Sequence, residues 1–265
     1  MRIPTTVLAA LVASAAGTLA LFASPAGAVQ NQTSRNWAGY AVTKSNGSFR
    51  KVAGSWVVPK PNCSTRSPGY SAAWVGLGGF GQSAYALEQV GVDALCNSSG
   101  QRRYGAWYEL VPAPGHRIAM AVHGGDRMSG SVEVQGATVS VRLRNRTTGA
   151  LFTKTASMST PDVRSAEWIV ETPSSCTDSG GCKLLPLADF GTVPFSSASA
   201  TTRSGGARSI SDPAFSVFRI TLRPAGKSYG AVPSGLSSGG TAFSVNYRRQ
   251  VAASGARART LVAHR

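Results

Sequence analysis

The chain has 265 residues, of which 27 are Lys or Arg and 11 are Asp or Glu, so its formal net charge is +16. Hydrophobic residues make up 42%, which is enough for a packed core and excludes a chain that is disordered throughout. Only 14% of the residues are charged, so the positive balance reflects a shortage of acids rather than dense basic clusters. The length fits one large all-β domain or two small domains.

The N-terminus has the pattern of a processing signal. It begins with a short basic start, continues with an apolar run over residues 7–22, and reaches the small residues Ala26-Gly27-Ala28. The apolar run is short for a membrane span, so a single-pass anchor is the weaker alternative. We therefore predict a signal peptide over residues 1–28, cleavage near Ala28, secretion, and no stable membrane insertion.

The four cysteines can form two disulfides in an oxidising compartment. Cys176 and Cys182 flank the sequence Thr-Asp-Ser-Gly-Gly, which is suited to a tight loop, and this pair leaves Cys63 with Cys96. Because four cysteines allow three pairings, the other two remain open at this point.

The mature chain shows the period-2 alternation of β-strands rather than the periodicity of amphipathic helices. Apolar and polar residues alternate over residues 139–144, 218–223 and 243–248, and clusters of Gly, Pro, Ser and Asn separate such runs. This pattern predicts an all-β antiparallel sandwich or barrel. We predict one domain over residues 29–249, followed by a basic, frayed tail over 250–265. Monomer is the default for such a secreted sandwich.

Several sequence matches do not support the chemistry that they suggest. The G-x-G-x-x-G pattern at 76–81 is not followed by a helical pattern, and the G-x-S-x-G pattern at 235–239 lacks the acid and His that should follow it. Asp178-Ser179-Gly180 has no second copy for an aspartic dyad. His116 and His123 lie without clustered ligands. We therefore predict no metal and no cofactor. The scattered Lys and Arg residues likewise predict no nucleic-acid partner.

Five of the eleven acids lie in apolar or aromatic strand-like runs: Glu88, Asp93, Glu109, Glu167 and Glu171. A single strand carboxylate usually faces water, but several together in apolar surroundings are unusual. Burial of an unpaired carboxylate is costly and favours its protonated form, which is the property required of a general acid or base.

Strand alternation predicts which of these side chains point the same way. Gln89 shares a face with Asp93, Glu109 shares one with Trp107, and Glu167 shares one with Glu171. Three strands therefore offer an amide and carboxylates to one groove. Four tryptophans near these runs are candidates for the walls of this groove, and the alternative is that they belong to the core: Trp37, Trp74, Trp107 and Trp168.

The segments around these residues resemble those of the glutamic peptidases, the eqolisin family, in the family's order over about residues 36–195. The resemblance is carried by Asn-Trp-Ala-Gly-Tyr at 36–40, Gly-Ser-Trp-Val-Val-Pro at 54–59, Trp-Val-Gly-Leu-Gly-Gly at 74–79, Glu-Gln-Val-Gly-Val-Asp at 88–93, Tyr-Gly-Ala-Trp-Tyr-Glu at 104–109 and Ala-Glu-Trp-Ile-Val-Glu at 166–171. The Cys176–Cys182 loop and the segment 185–190 also fit. We interpret the chain as a secreted, bacterial-type member.

The resemblance implies a concanavalin A-like sandwich of two antiparallel sheets and a catalytic pair, Gln89 and Glu171. Glu171 would activate a water that attacks the scissile carbonyl, and the Gln89 amide would stabilise the oxyanion. Substrate-binding or supporting positions then fall on Trp37, Trp74 and, among the acids, Asp93 and Glu109. Protein or peptide substrates follow, with neither a metal nor a covalent intermediate.

Two departures from the family pattern affect the expected pH dependence. Gly78 and Gly105 stand where fungal members have Asp, and Arg102 and Arg103 lie nearby. With fewer neighbouring carboxylates we expect a milder acid optimum than the family's.

Two alternatives to the peptidase stay open at this stage. A secreted carbohydrate-binding or glycoside-hydrolysing sandwich would suit the fold, but a glycosidase needs a second carboxylate where this chain has Gln89. A non-catalytic binding module of the same fold would suit the missing acids.

Overall fold

The computed structural model describes residues 28–45, 48–63, 67–81, 84–177 and 181–251. The predicted signal peptide up to residue 27 and the predicted tail from residue 252 lie outside these residues, as does the Asp178–Gly180 motif. In the described part of the chain the regular structure is β-strand, apart from a short 3-10 turn at Ser238–Gly240. No helix among these residues is both long and apolar enough to cross a membrane.

The described residues form eighteen strands. They are β1 (Gln30–Ser34), β2 (Trp37–Thr43), β3 (Phe49–Val57), β4 (Gly69–Gly78), β5 (Leu87–Cys96), β6 (Arg102–Val111), β7 (His116–Ile118), β8 (Arg127–Gln135), β9 (Thr138–Asn145), β10 (Leu151–Ser157), β11 (Ser165–Glu171), β12 (Ser174–Cys176), β13 (Cys182–Leu184), β14 (Thr192–Thr202), β15 (Ala207–Arg208), β16 (Ser216–Leu222), β17 (Gly230–Pro233) and β18 (Phe243–Arg248).

Most strands follow one hydrogen-bonded path, in the order β10-β9-β8-β3-β14-β18-β17-β16-β2-β11-β4-β5-β6-β7. Neighbours along this path are antiparallel, whereas β1 joins β16 in parallel. The path folds back on itself into two facing layers. We call β16-β2-β11-β4-β5-β6-β7 the front layer and β10-β9-β8-β3-β14 the back layer. The predicted all-β sandwich is confirmed.

The main core lies between the two layers and follows from the alternation in each strand. In β11 the side chains of Ala166, Trp168 and Val170 belong to this core, and the indole Nε1 of Trp168 donates a hydrogen bond of 2.8 Å to the carbonyl of Ala53 in the back layer. The intervening residues of β11 therefore point to the opposite, outward face of the front layer. The prediction that Trp168 walls the groove is wrong, because this residue is one position out of phase with Glu167 and Ile169.

Two disulfides join the pairs that the sequence favoured. Cys63 bonds to Cys96 across 33 residues, and Cys176 bonds to Cys182 across six. The first joins the loop after β3 to the end of β5, and the second closes the β12–β13 hairpin. No free cysteine remains in the described residues.

Candidate active site

The outward face of the front layer brings the candidate residues into cross-strand rows. Directly opposed residues of paired strands point to the same face, so the pairing register defines these rows. One row contains Glu167, Gly76, Gln89 and Glu109, and the next contains Ile169, Trp74, Gly91 and Trp107. A third contains Glu171, Ala72, Asp93 and Gly105. An amide, four carboxyl groups and two indoles therefore share one face.

Glu171 is fully buried and is held by two N–H donors. The indole Nε1 of Trp74 donates to its Oε2 at 2.9 Å, and Nδ2 of Asn36 donates to its Oε1 at 3.2 Å. The Ser34 hydroxyl donates to Asn36 Oδ1 at 2.9 Å, which turns the amide nitrogen of Asn36 toward Glu171. Hydrogen bonds of this kind favour the ionised carboxylate and fix its orientation.

Asn36 was not among the residues predicted for the site. It opens the 36–40 segment that resembles the family, and this is the only signal in the sequence that could have singled it out. Its contact with Glu171 spans 135 residues of sequence, so no local pattern predicts it.

Gln89 is also fully buried and is oriented by Glu109 on the neighbouring strand. Its Nε2 donates to Glu109 Oε2 at 2.7 Å, and its Oε1 has no hydrogen-bond partner among the described residues. The amide nitrogen carries a second hydrogen that this bond does not use. The arrangement therefore presents a fixed amide with donor capacity to spare.

The pairs Trp74–Glu171 and Gln89–Glu109 lie side by side on the same face. Gln89 on β5 and Glu171 on β11 lie on either side of β4. They belong to the first and third rows, and Trp74 of β4 lies in the second row between them. Gln89 donates to Glu109 rather than to Glu171. The structure thus places the predicted dyad across Trp74, with each member held by its own partner.

Aromatic side chains surround the candidate residues on this face and bury them. Trp37 packs edge-on against Trp74 with ring centroids 4.9 Å apart, and both are fully buried together with Trp107. Phe80 and Phe218 pack against the same cluster, with their ring centroids 4.8 Å apart. A low-dielectric site of this kind strengthens each charge interaction within it.

Asp93 lies at the edge of the site and forms an ion pair with Arg117 of β7. The Arg117 guanidinium fills the space above Gly105, because a Cβ placed there would come within 2.5 Å of Arg117 Nη1. At position 105, where the resemblance led us to expect an acid, a cation thus occupies the space above the backbone. Sequence analysis did not select Arg117, since its partner lies on another strand.

The other missing acid, at Gly78, is replaced differently. Gly78 has φ +79, and a Cβ there would approach the carbonyl oxygen of Asp162 to 2.5 Å. Asp162 is buried and binds Arg164 through hydrogen bonds of 2.8 and 2.7 Å. The loop that precedes β11 thus occupies the space that an Asp at position 78 would need.

Two buried carboxyl groups lie near this loop, Glu88 and the Glu167 of the first row. Glu88 Oε1 accepts a hydrogen bond of 3.1 Å from the backbone N–H of Asp162, and desolvation raises the pKa of Glu88 to about 8. Desolvation also raises the pKa of Glu167 well above its usual range, with added repulsion from Asp162 and Glu88. The nearby Ser165 hydroxyl offsets part of this effect. No group of three potential metal ligands occurs in the described part of the chain.

Comparison with known proteins places this arrangement in context. A profile described as the peptidase A4 family matches residues 35–229. Aspergillopepsin-2 of Aspergillus niger is 34% identical over 203 residues, which cover 68% of either sequence.

Solved structures show the same fold. The crystal structure of scytalido-glutamic peptidase with a transition state analog inhibitor superposes with a TM-score of 0.66 at 26% identity, and the match covers 81% of this chain and 98% of that one. Aspergilloglutamic peptidase from Aspergillus niger gives a TM-score of 0.56 at 30% identity, covering 68% and 99% of the two chains.

Proposed function

The chain belongs to the peptidase A4 family and is a glutamic endopeptidase, and from this premise we propose that it acts outside the cell, in acid, through Gln89 and Glu171. The observation that carries the proposal is the pair of donors on the Glu171 carboxylate, Trp74 at 2.9 Å and Asn36 at 3.2 Å. Protein or peptide substrates are expected to lie across the outward face of the front layer.

Glu171 acts as the general base in the proposed reaction. A water molecule hydrogen-bonded to the Glu171 carboxylate is deprotonated there. The hydroxide so formed attacks the carbonyl carbon of the scissile peptide bond. The proton on Glu171 then passes to the amine nitrogen as the C–N bond breaks, which restores the carboxylate.

Gln89 stabilises the oxyanion in the proposed reaction. Its Nε2 is anchored by Glu109 at 2.7 Å, which leaves the second N–H to donate to the carbonyl oxygen as negative charge develops on it. A donor fixed before the reaction needs no reorganisation, and the loss of one such donor costs about 3–4 kcal/mol, a factor of about 10²–10³ in rate.

Secretion is supported by the N-terminal pattern of residues 1–28 and by the two disulfides, because disulfides persist in oxidising compartments. Action in acid follows from the family, and we predict an optimum milder than the family's because Gly78 and Gly105 leave the site region with fewer acids.

The test is the cleavage of acid-denatured casein by the purified protein from about pH 2 to about pH 8. Gln89→Ala and Glu171→Gln should each lower kcat/KM by about 10²-fold or more while the protein remains folded. Glu133→Gln, which removes a half-buried carboxyl of the back layer, far from the front layer, is the matched control and should leave activity unchanged.

Activity should also resist pepstatin and a metal chelator. Full activity of either dyad variant, or inhibition by the chelator, would contradict the proposal. A rate maximum below about pH 3 would contradict the milder optimum. A folded protein without cleavage at any pH would favour a binding module instead.

A further inference from the structure

The outward face of the back layer forms a second, shallow trough with a cavity volume of about 540 Å³. Its floor consists of small side chains on β3 and β8, namely Ala53, Ser55, Ser129 and Ser131. The candidate active site lies on the outward face of the front layer, so the two surfaces are on opposite sides of the sandwich.

Three arginines form one wall of this trough. In β9 the residues Val139, Val141 and Leu143 face the core, so Arg142 and Arg144 point outward. Side chains two residues apart in a strand repeat every ~6.6 Å. Arg146 continues the series just after β9, where its N–H bonds to the Arg127 carbonyl at 2.6 Å.

The positive charge of this wall is not neutralised. Glu133 is the acid closest to the trough in the pairing register, and it binds Lys51 at 3.0 Å and Arg50 at 3.4 Å. Among the described residues, Arg142, Arg144 and Arg146 form no ion pair, and the trough is lined by no acid. The guanidinium groups are therefore available as a linear array of hydrogen-bond donors.

We propose that this trough binds an acidic polysaccharide, with the arginine wall contacting its carboxylate or sulfate groups and the serine floor contacting its sugar hydroxyls. A line of cations matches an extended polymer with repeated negative charges. The trough is lined by no aromatic side chain, so it lacks the stacking surface with which proteins bind single-stranded nucleic acid. Its floor is polar, which excludes insertion into lipid.

Because the trough lies on the side opposite the candidate active site, binding there would not block the peptidase. A polymer on the back layer leaves the front layer uncovered, so the enzyme can be retained on an anionic matrix while it cleaves proteins. This site does not depend on the proposed dyad, and its binding is measured without any peptide substrate.

The test measures binding of the purified protein to polygalacturonate and to dextran sulfate, with neutral dextran and single-stranded DNA as comparison ligands. The variant Arg142→Ser/Arg144→Ser/Arg146→Ser should bind the acidic polysaccharides at least tenfold more weakly. The slope of log Kd against log salt concentration should be smaller by about 2–3 than that of the unsubstituted protein, because about three fewer ions are released on binding. Casein cleavage should be unchanged.

The matched control is Arg203→Ser/Arg248→Ser/Arg249→Ser, which removes the same charge from exposed positions elsewhere. This variant should retain binding within about twofold. Equal losses in the two triple variants would show attraction to net charge alone and would overturn the proposal. Equal affinity for neutral dextran, tighter binding of single-stranded DNA, or no measurable binding would also overturn it. Dextran sulfate and polygalacturonate distinguish sulfate from carboxylate recognition within the proposal.

Discussion

The indole Nε1 of Trp74 donates a 2.9 Å hydrogen bond to Oε2 of Glu171, and both side chains are fully buried. The bond joins two strands that are neighbours in the front layer but lie 97 residues apart in sequence. It occupies one oxygen of the proposed base and fixes the plane of the carboxylate. The reactivity of Glu171 therefore depends on a tryptophan that does not itself transfer a proton.

Replacing Trp74 by Phe should show this dependence. Trp74→Phe keeps an aromatic ring but removes the N–H donor, and loss of a hydrogen bond to a charged group costs about 1.5–3 kcal/mol. We expect kcat/KM on casein to fall by roughly 10–100-fold. Trp56→Phe is the control, because this tryptophan lies in the core between the layers and its Nε1 has no partner in the described residues. Equal activity of the two variants would contradict the role of Trp74.

Substitution of Asp for Gly78 and for Gly105 should change the stability of the fold by different amounts. Gly78→Asp requires a side chain at φ +79 and within 2.5 Å of a backbone carbonyl, so it should destabilise the fold by about 3 kcal/mol or more. At Gly105 the nearest group to an added Cβ is the flexible end of Arg117, and Asp93 Oδ2 lies at 3.8 Å, so Gly105→Asp should cost less than about 1 kcal/mol. Urea unfolding measures both changes.

Gly136→Asp separates the backbone cost from the crowding at Gly78. Gly136 also has a positive φ, of +60, but no atom lies within 4 Å of its Cβ position. Its substitution should therefore cost about 1 kcal/mol, the strain of the left-handed conformation alone. If Gly78→Asp were no more costly than Gly136→Asp, the packing of Asp162 at this position would be disproved.

Stability should decline as pH rises from acid to neutral. Burial raises the pKa of Glu88 from 4.5 to about 8, so the folded state retains a proton that the unfolded state releases between these values. Stabilisation from this group is complete below about pH 4.5 and is lost as pH rises toward 8, by an amount on the order of 3–5 kcal/mol. Calorimetry should show Tm roughly 10 °C lower at pH 8 than at pH 4.5.

Glu88→Gln should reduce this decline, because the amide does not titrate but still offers an oxygen to the Asp162 N–H. Glu133→Gln is the control, because Glu133 should change stability with pH in the opposite direction to Glu88. Lys51 lowers the pKa of Glu133, so that carboxylate stabilises the fold at neutral pH and loses its effect in acid. A decline in Tm that persists unchanged in Glu88→Gln would refute the assignment.

The two disulfides should contribute unequally to stability. In the chain-entropy description, closing a loop of 33 residues is worth about 4 kcal/mol, whereas closing one of six residues is worth about 2 kcal/mol. The double variant Cys63→Ser/Cys96→Ser should therefore lose more stability in urea than Cys176→Ser/Cys182→Ser. The reverse order would show that the Cys63–Cys96 bond does not restrict the unfolded chain in this way.

The all-β class, and the side chains that share a face within each strand, follow from the sequence alone. Alternation in a strand is a local property with a period of two residues, so Gln89 could be grouped with Asp93, and Glu167 with Glu171, before their strands were arranged. Trp168 was named for the groove because it lies next to Glu167 in sequence, although the same alternation directs it to the opposite face, where it packs in the core.

Contacts between residues that are distant in sequence became visible when the strands were assembled. The contacts of Asn36 and Trp74 with Glu171 span 135 and 97 residues, and Arg117 reaches Asp93 from another strand. Such contacts depend on strand order and register, which are set by the packing of the whole sandwich rather than by any local segment. The same holds for two other features, the loop position of Asp162 against Gly78 and the arginine-lined trough of the back layer. Each is formed by segments that are distant in sequence and meet only in the folded sandwich.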